Sequence, residues 1–280
     1  MLNNKTVTSV DGVGLNVRTF GNPAGQPILL VHGFAQSLWC WQKQFSAPEL
    51  QSFHLVAFDM RGHGRSDKPD VAAAYQSSEV WAGDVAAVID GLALENPLAV
   101  FWSYSGLVLS DYLRRYGDEA LSGINFVSAR TKVGTPAAKE MSGTLFSDLV
   151  PGFCSTDAVR REAAVRLFLE NLTEDGIPDP DFYTMLGYNL AVPPHICAAM
   201  LDRQVDNDDV LKRSSVPTVI THGDHDTSVL PLMAKHHECI IPKAELSLWP
   251  NIGHAPFYED ADRFNAELAR FASRCFKLRK

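Results

Sequence analysis

The sequence predicts an α/β fold: a doubly wound, mostly parallel sheet with one helical insertion after its sixth strand. Three observations carry that expectation. Short apolar runs alternate with helix-period segments over the first 129 residues. The alternation stops over residues 130–215. It then resumes from residue 216. Strands that alternate with helices assemble as parallel neighbours through right-handed crossovers. Strands covered on both faces read as continuous apolar runs.

Taken in order, residues 6–10 and 15–20 flank Asp11-Gly12-Val13-Gly14 and read as a hairpin. Ile28 to Val31 is an unbroken apolar run ending at His32-Gly33, and residues 55–58 form the next, ending at Asp59. Residues 79–92 place Val80, Val85, Val88, Ile89 and Leu92 at helical spacing. Residues 98–102 make a strand, residues 107–116 a helix with an apolar face, and residues 124–127 the sixth strand. The insertion holds helix-like stretches at 157–171 and 180–189, punctuated by prolines and glycines, with no strong strand. Residues 217–221 and 244–248 resume the sheet, and a helix over 259–276 closes the chain. The expected organisation is therefore a core of residues 1–129 and 216–280 with a helical cap at 130–215.

Composition bounds the function. The 280 residues are 46% apolar and 21% charged, enough for one sizeable core. A net charge of −8 argues against nucleic acid or an anionic membrane as partner, since both demand a basic face. The first residues lack the apolar run of a signal peptide, and no stretch nears the roughly 20 apolar residues of a membrane span. Five scattered cysteines without a C-x-x-C pair read as free thiols in a reducing, cytoplasmic setting. His222, His225, His236 and His237 match no zinc spacing and read as solvated or capping residues, so no metal is expected. The first strand–helix turn has no Gly-x-Gly-x-x-Gly, so no nucleotide cofactor is implied. Oligomeric state is left open.

Open α/β sheets bind ligands at the carboxyl ends of their strands. That edge holds His32-Gly33-Phe34, Asp59, Ser103, Gly223 to Asp226, and His254. Phe101-Trp-Ser-Tyr-Ser-Gly106 follows a strand and opens a helix, the setting of a sharp turn that exposes a serine hydroxyl. A serine alcohol needs a base, and the base needs an acid to fix its tautomer. Ser103, Asp226 and His254 occur in the order Ser, Asp, His. Ser105 rivals Ser103 as nucleophile, and Asp224 rivals Asp226. Asp59, Arg61, His63 and Arg65 read as a structural brace of a Gly-rich turn.

Together His32-Gly-Phe34, Asp59-Met-Arg-Gly-His-Gly-Arg-Ser-Asp67, the Trp-Ser-Tyr-Ser-Gly turn, Gly223-Asp-His-Asp226 and Gly253-His254 closely resemble the α/β-hydrolase family. The likeness is nearest to its small serine esterases and the cofactor-free, non-haem haloperoxidase (perhydrolase) branch. The resemblance implies Ser103 as nucleophile, His254 as general base and Asp226 as its orienting acid. It also implies an oxyanion hole from the N–H groups of Phe34 and Tyr104, with Phe34 and Trp102 as substrate contacts. The implied reaction is hydrolysis of a small-molecule ester through an acyl-enzyme, with hydrogen peroxide as an alternative acyl acceptor. A carbon–carbon bond hydrolase, a lactonase and a non-catalytic ligand receptor fit the same residues. Nucleophilic aspartate chemistry does not, because position 103 is Ser. The family favours Gly-x-Ser-x-Gly, whereas Phe101 and Ser105 stand at the flanking positions here. Phe101→Gly is accordingly expected to alter activity, upward on bulky esters. Residues 178–194 are expected to set acyl-chain preference.

Overall fold

The computed structural model describes residues 4–278. Its strands in chain order are β1 (Asn4–Thr8), β2 (Gly14–Gly21), β3 (Pro27–Val31), β4 (His54–Phe58), β5 (Leu98–Trp102), β6 (Gly123–Val127), β7 (Lys132–Val133), β8 (Val205–Asp206), β9 (Thr218–Gly223) and β10 (Ala244–Trp249). Eight of them form one sheet in the order β1-β2-β4-β3-β5-β6-β9-β10. The hairpin strands β1 and β2 are antiparallel to their neighbours, and all later pairings are parallel. The fold is thus the doubly wound α/β sheet that the alternation of runs predicts.

The centre of the sheet is where the sequence is most apolar. No residue of β3, β5 or β6 is exposed, as the apolar runs of β3 and β5 require, and the one polar residue of β6, Asn125, accepts from Thr221 Oγ1. Helices Ser78–Gly91 and Ser105–Tyr116 pack on one another. The helix Ala261–Leu278 buries Phe264, Leu268, Phe271, Ala272 and Cys275, a stripe at the 3.6-residue period.

Element ends differ from the sequence reading for local reasons. The first strand stops at Thr8 because Ser9 N–H donates to Val13 O and closes the turn, leaving Val10 exposed. The last helix is two helices, Pro256–Glu259 and Ala261–Leu278. Asp260 leaves helical conformation between them, and its Oδ1 accepts from Arg263 N–H, a side-chain cap for the second helix.

Residues 130–215 contribute helices and also one short antiparallel ladder, in which β7 pairs with β8. The sequence reading finds no strand here, since two residues are too few to show an alternation. Buried Lys132 bridges Asp206 and Asp208 at this ladder. Arg203 pairs with Asp111 at 2.7 Å, tying the segment to helix Ser105–Tyr116. Across the sheet edge, the Asp59 carboxylate accepts from Leu38 N–H, Asn16 Nδ2 and Arg65 N–H. Arg61 lies between Asp11 and Asp84. No helix among the described residues is long and apolar enough to cross a membrane.

Candidate active site

Ser103 stands at the turn between β5 and helix Ser105–Tyr116, with φ +56°. A non-glycine residue in the left-handed region is strained and survives where its surroundings over-determine it. Here Ser103 N–H donates to Val127 O, while Ser103 O accepts from the amides of Gly106 and Arg130. The strained turn lifts the hydroxyl off the strand and toward the loop that follows β10.

That loop delivers His254. Its Nε2 lies 2.9 Å from Ser103 Oγ, and its Nδ1 lies 2.7 Å from Asp226 Oδ2. The carboxylate can only accept, so Nδ1–H donates to it and Nε2 is left to accept the serine proton. Backbone and ring contacts hold the imidazole. His254 N–H donates to Leu172 O, and Trp102 Nε1 donates to His254 O at 2.9 Å.

Asp226 is fully enclosed in donors. Its Oδ1 accepts the amides of Ser228 and Val229, and its Oδ2 accepts His254 Nδ1–H. His222 Nε2 approaches the same Oδ2 at 3.1 Å while donating to Val229 O. Burial would raise this carboxyl, but the neighbouring His254 and His222 more than offset it and hold it well below the usual carboxylate range. The sequence reading of His222 as solvated or capping is therefore corrected. It is wholly buried at the end of β9, against the very aspartate that holds His254.

The rivals fall away. Ser105 is buried and spends its hydroxyl on Val31 O and Trp102 O, far from any base. Asp224 caps Asn251 N–H in a more exposed position.

Gly33, which precedes Phe34, lies directly against the serine. A Cβ at position 33 would meet Ser103 Cβ at 2.9 Å and Oγ at 3.4 Å, so only glycine lets this strand end approach so closely. His32 fixes the turn, with Nδ1–H donating to Gly33 O and Nε2 accepting Met60 N–H. Burial lowers its pKa, which suits the neutral ring that this pair of bonds requires. Neither Phe34 N–H nor Tyr104 N–H is spent on a carbonyl of the surrounding turns.

A cavity of about 620 Å³ opens beside Ser103 and His254. Phe34, Trp102 and Tyr104 line it from the core, and Phe146, Val150, Phe168 and Leu201 from the insertion. Trp102 thus both faces the cavity and supports the histidine loop. No residue of 178–194 lines it. The insertion reaches the cavity instead through residues of 133–150 with Phe168 and Leu201, so the stretch 178–194 does not face it as expected. Arg130 also lines it. Sequence reasoning missed this residue, although it lies just past β6 at the same sheet edge as the others.

Phe101 does not line the cavity. It is fully buried within β5, between Val31 of β3 and Phe126 of β6. The crowding that small residues relieve falls instead at Gly106, where a Cβ would lie 2.6 Å from Arg130 O. Phe101→Gly is now expected to destabilise the protein by about 4 kcal/mol or more, the sum of a lost ring and a strand glycine. Thermal or urea melts check this. A stable variant with altered turnover on bulky esters would restore the expectation drawn from sequence.

The profile of the alpha/beta hydrolase family matches residues 28–267. The esterase RhEst1 from Rhodococcus sp. ECU1013 superposes with a TM-score of 0.89 at 37% identity, over 96% of this chain and 98% of that one. A non-heme chloroperoxidase, CPO-A1, from Kitasatospora aureofaciens is 26% identical over 95% of this chain and 98% of its own. The bifunctional esterase/perhydrolase DCH of Acinetobacter calcoaceticus is 24% identical with the same two coverages.

Proposed function

The chain belongs to the alpha/beta hydrolase family, and from that premise we propose that it is a serine esterase acting through an acyl-enzyme on Ser103. One observation carries the reading: the hydrogen-bonded chain from Asp226 through His254 presents Ser103 to a largely apolar cavity. The likeness to a solved esterase at 37% identity supports an ester over the other substrates such a triad can cleave.

In this reading Ser103 Oγ attacks the ester carbonyl as its proton passes to His254 Nε2. The carbonyl oxygen takes up the negative charge, and the amides of Phe34 and Tyr104 stabilise it. Each such donor is worth roughly 3–4 kcal/mol in the transition state. His254 returns the proton to the leaving alkoxide, which departs as the alcohol. Water then gives a proton to His254 and attacks the acyl carbon, and the acid leaves as Ser103 recovers its hydrogen. Hydrogen peroxide in place of water would release a peracid from the same intermediate. The relationship to an esterase/perhydrolase makes that acceptor worth including in the assay. The segment 130–215 acts as a cap that sets which acyl groups enter.

Covalent labelling with a fluorophosphonate, combined with hydrolysis of p-nitrophenyl esters, tests the proposal. Labelling at Ser103 is expected. A folded protein that neither labels nor turns over would be a binding module on the same fold. For the cap, Phe146→Ala or Phe168→Ala should raise the long-to-short preference in kcat/KM by about tenfold or more, the worth of a single methylene in an apolar pocket. Changing exposed Tyr183, which does not line the cavity, serves as the control. Equal effects on all chain lengths would remove the cap from specificity.

A further inference from the structure

The cavity carries a charge that the esterase reading does not use. Arg130 lines it and is only 7% exposed. Its Nη1 donates to Ser142 Oγ and its Nη2 to Ser228 O at 3.1 Å, while the guanidinium lies 5.4 Å from the Phe146 ring centroid. Both bonded partners are neutral. No Asp or Glu forms an ion pair with it among the described residues. Burial lowers the guanidinium to about 10, with Asp226 and Tyr104 opposing the shift, so it remains cationic at neutral pH.

A buried cation is costly unless it is paired. The two bonds that Arg130 makes inside the fold need only a neutral donor. Its position is nevertheless rigid: its own amide donates to Ser103 O at 2.9 Å, and its carbonyl packs against Gly106. The backbone of Arg130 is therefore tied to that of the nucleophile, and Ser142 and Ser228 hold its charge in the same cavity.

The rest of the lining has the same sign. Lys139, on the exposed side of helix Pro136–Glu140, is a second cation of the wall, and no Asp or Glu lines the cavity. This holds in a chain whose net charge is −8. Asp226, the nearest acid in effect, already shares its charge among the Ser228 and Val229 amides and two histidines.

We propose that the ester substrate carries a carboxylate, on its acyl part or its alcohol part, and that Arg130 receives it inside the cavity. The inference rests on the serine-esterase reading of the same site. A guanidinium presents paired N–H donors that match a carboxylate, and in a dry site such a bond is stronger than in water. Arg130 is then a specificity residue, and Lys139 draws the anion toward it.

The test compares matched substrate pairs. For the acyl side the pair is p-nitrophenyl hemiglutarate and p-nitrophenyl pentanoate. For the alcohol side it is the butyrate of meta-hydroxybenzoate and phenyl butyrate. The anionic-to-neutral ratio of kcat/KM should fall in Arg130→Met by about tenfold or more on one pair, the size of a lost charge-assisted hydrogen bond. Arg130→Lys should restore much of it, and Lys139→Met should lower it by about two- to threefold, as befits an exposed charge. The pair that responds identifies the side. A ratio equal in wild type and Arg130→Met on both pairs overturns the inference.

If Arg130→Met fails to fold, the wild-type protein decides. Pentanoate should compete with the neutral ester better than its neutral isostere pentanamide does, and the advantage should shrink with added salt. Equal competition by the acid and the amide overturns the proposal. A protein that labels with fluorophosphonate and cleaves neutral esters without any carboxylate preference loses this inference alone. A protein that does neither loses the esterase reading, and glutarate stabilisation of the wild type over Arg130→Met, read by thermal shift, still tests Arg130.

Discussion

Ser103→Ala is expected to abolish ester hydrolysis, lowering kcat by on the order of a million-fold, as loss of the nucleophile does in comparable triads. The reason lies in the geometry. His254 Nε2 has one partner here, the Ser103 hydroxyl, and the serine two positions further along the chain is unavailable. Ser105 is buried with its hydroxyl committed to two carbonyls. The residual activity would then reflect binding and the amide donors alone. The fold should persist, because Ser103 is held by its backbone bonds to Val127, Gly106 and Arg130 rather than by its hydroxyl. Single-turnover kinetics, fluorophosphonate labelling and a thermal melt of the variant check all three points. A folded variant with undiminished turnover would move the nucleophile away from position 103.

Asp226→Asn is expected to lower kcat by about ten-thousand-fold through the tautomer of His254. Four N–H groups converge on Asp226: two amides on Oδ1 and two imidazoles on Oδ2. An asparagine offers one acceptor oxygen and one donor NH2. With its oxygen toward the amides, the NH2 faces His254, whose Nδ1 must then accept. The proton moves to Nε2, which can no longer take one from Ser103. The same carboxylate links stability to acid. Its folded-state pKa lies below the ordinary value of 3.8, so the folded chain binds this proton more weakly than the unfolded chain. Its stabilisation is complete above the unfolded value and is lost as pH falls toward the depressed one. Melts of wild type and Asp226→Asn between about pH 3 and 7, spanning that ordinary carboxylate range, should show a constant gap near neutrality that begins to narrow at the acid end. A stability gap that widened as pH fell would contradict the sign.

The strands that build the site were legible because burial on both faces leaves a simple signature. Residues 28–31 and 98–102 could be read as strands from their apolar runs, residues 124–127 as a further strand despite Asn125, and the site residues followed from the rule about strand ends. His222 shows where that reasoning stopped. It sits four positions before Asp226, yet nothing in its spacing tells whether its ring turns outward or back against the carboxylate. The β7–β8 ladder was hidden for a related reason, since two residues have no period.

The order of the strands came from the structure, while the sequence by itself determined the kind of sheet and which serine, histidine and aspartate stand at its edge. Each of those follows from local pattern: apolar runs, turn residues and chain order. Only the tertiary structure decided what the cavity is made of. Phe101 is prominent in the sequence but lies inside the sheet, whereas Arg130 is inconspicuous but faces the site. It also shifted the wall from residues 178–194 to Phe146, Val150, Phe168 and Leu201. The physical reason is that a strand or helix declares its own periodicity, while a cavity belongs to none of its elements. Its lining is fixed by how a helical insertion packs over a sheet edge, through contacts such as Arg203 with Asp111 and Tyr104 with Met200 O that span some ninety residues of chain.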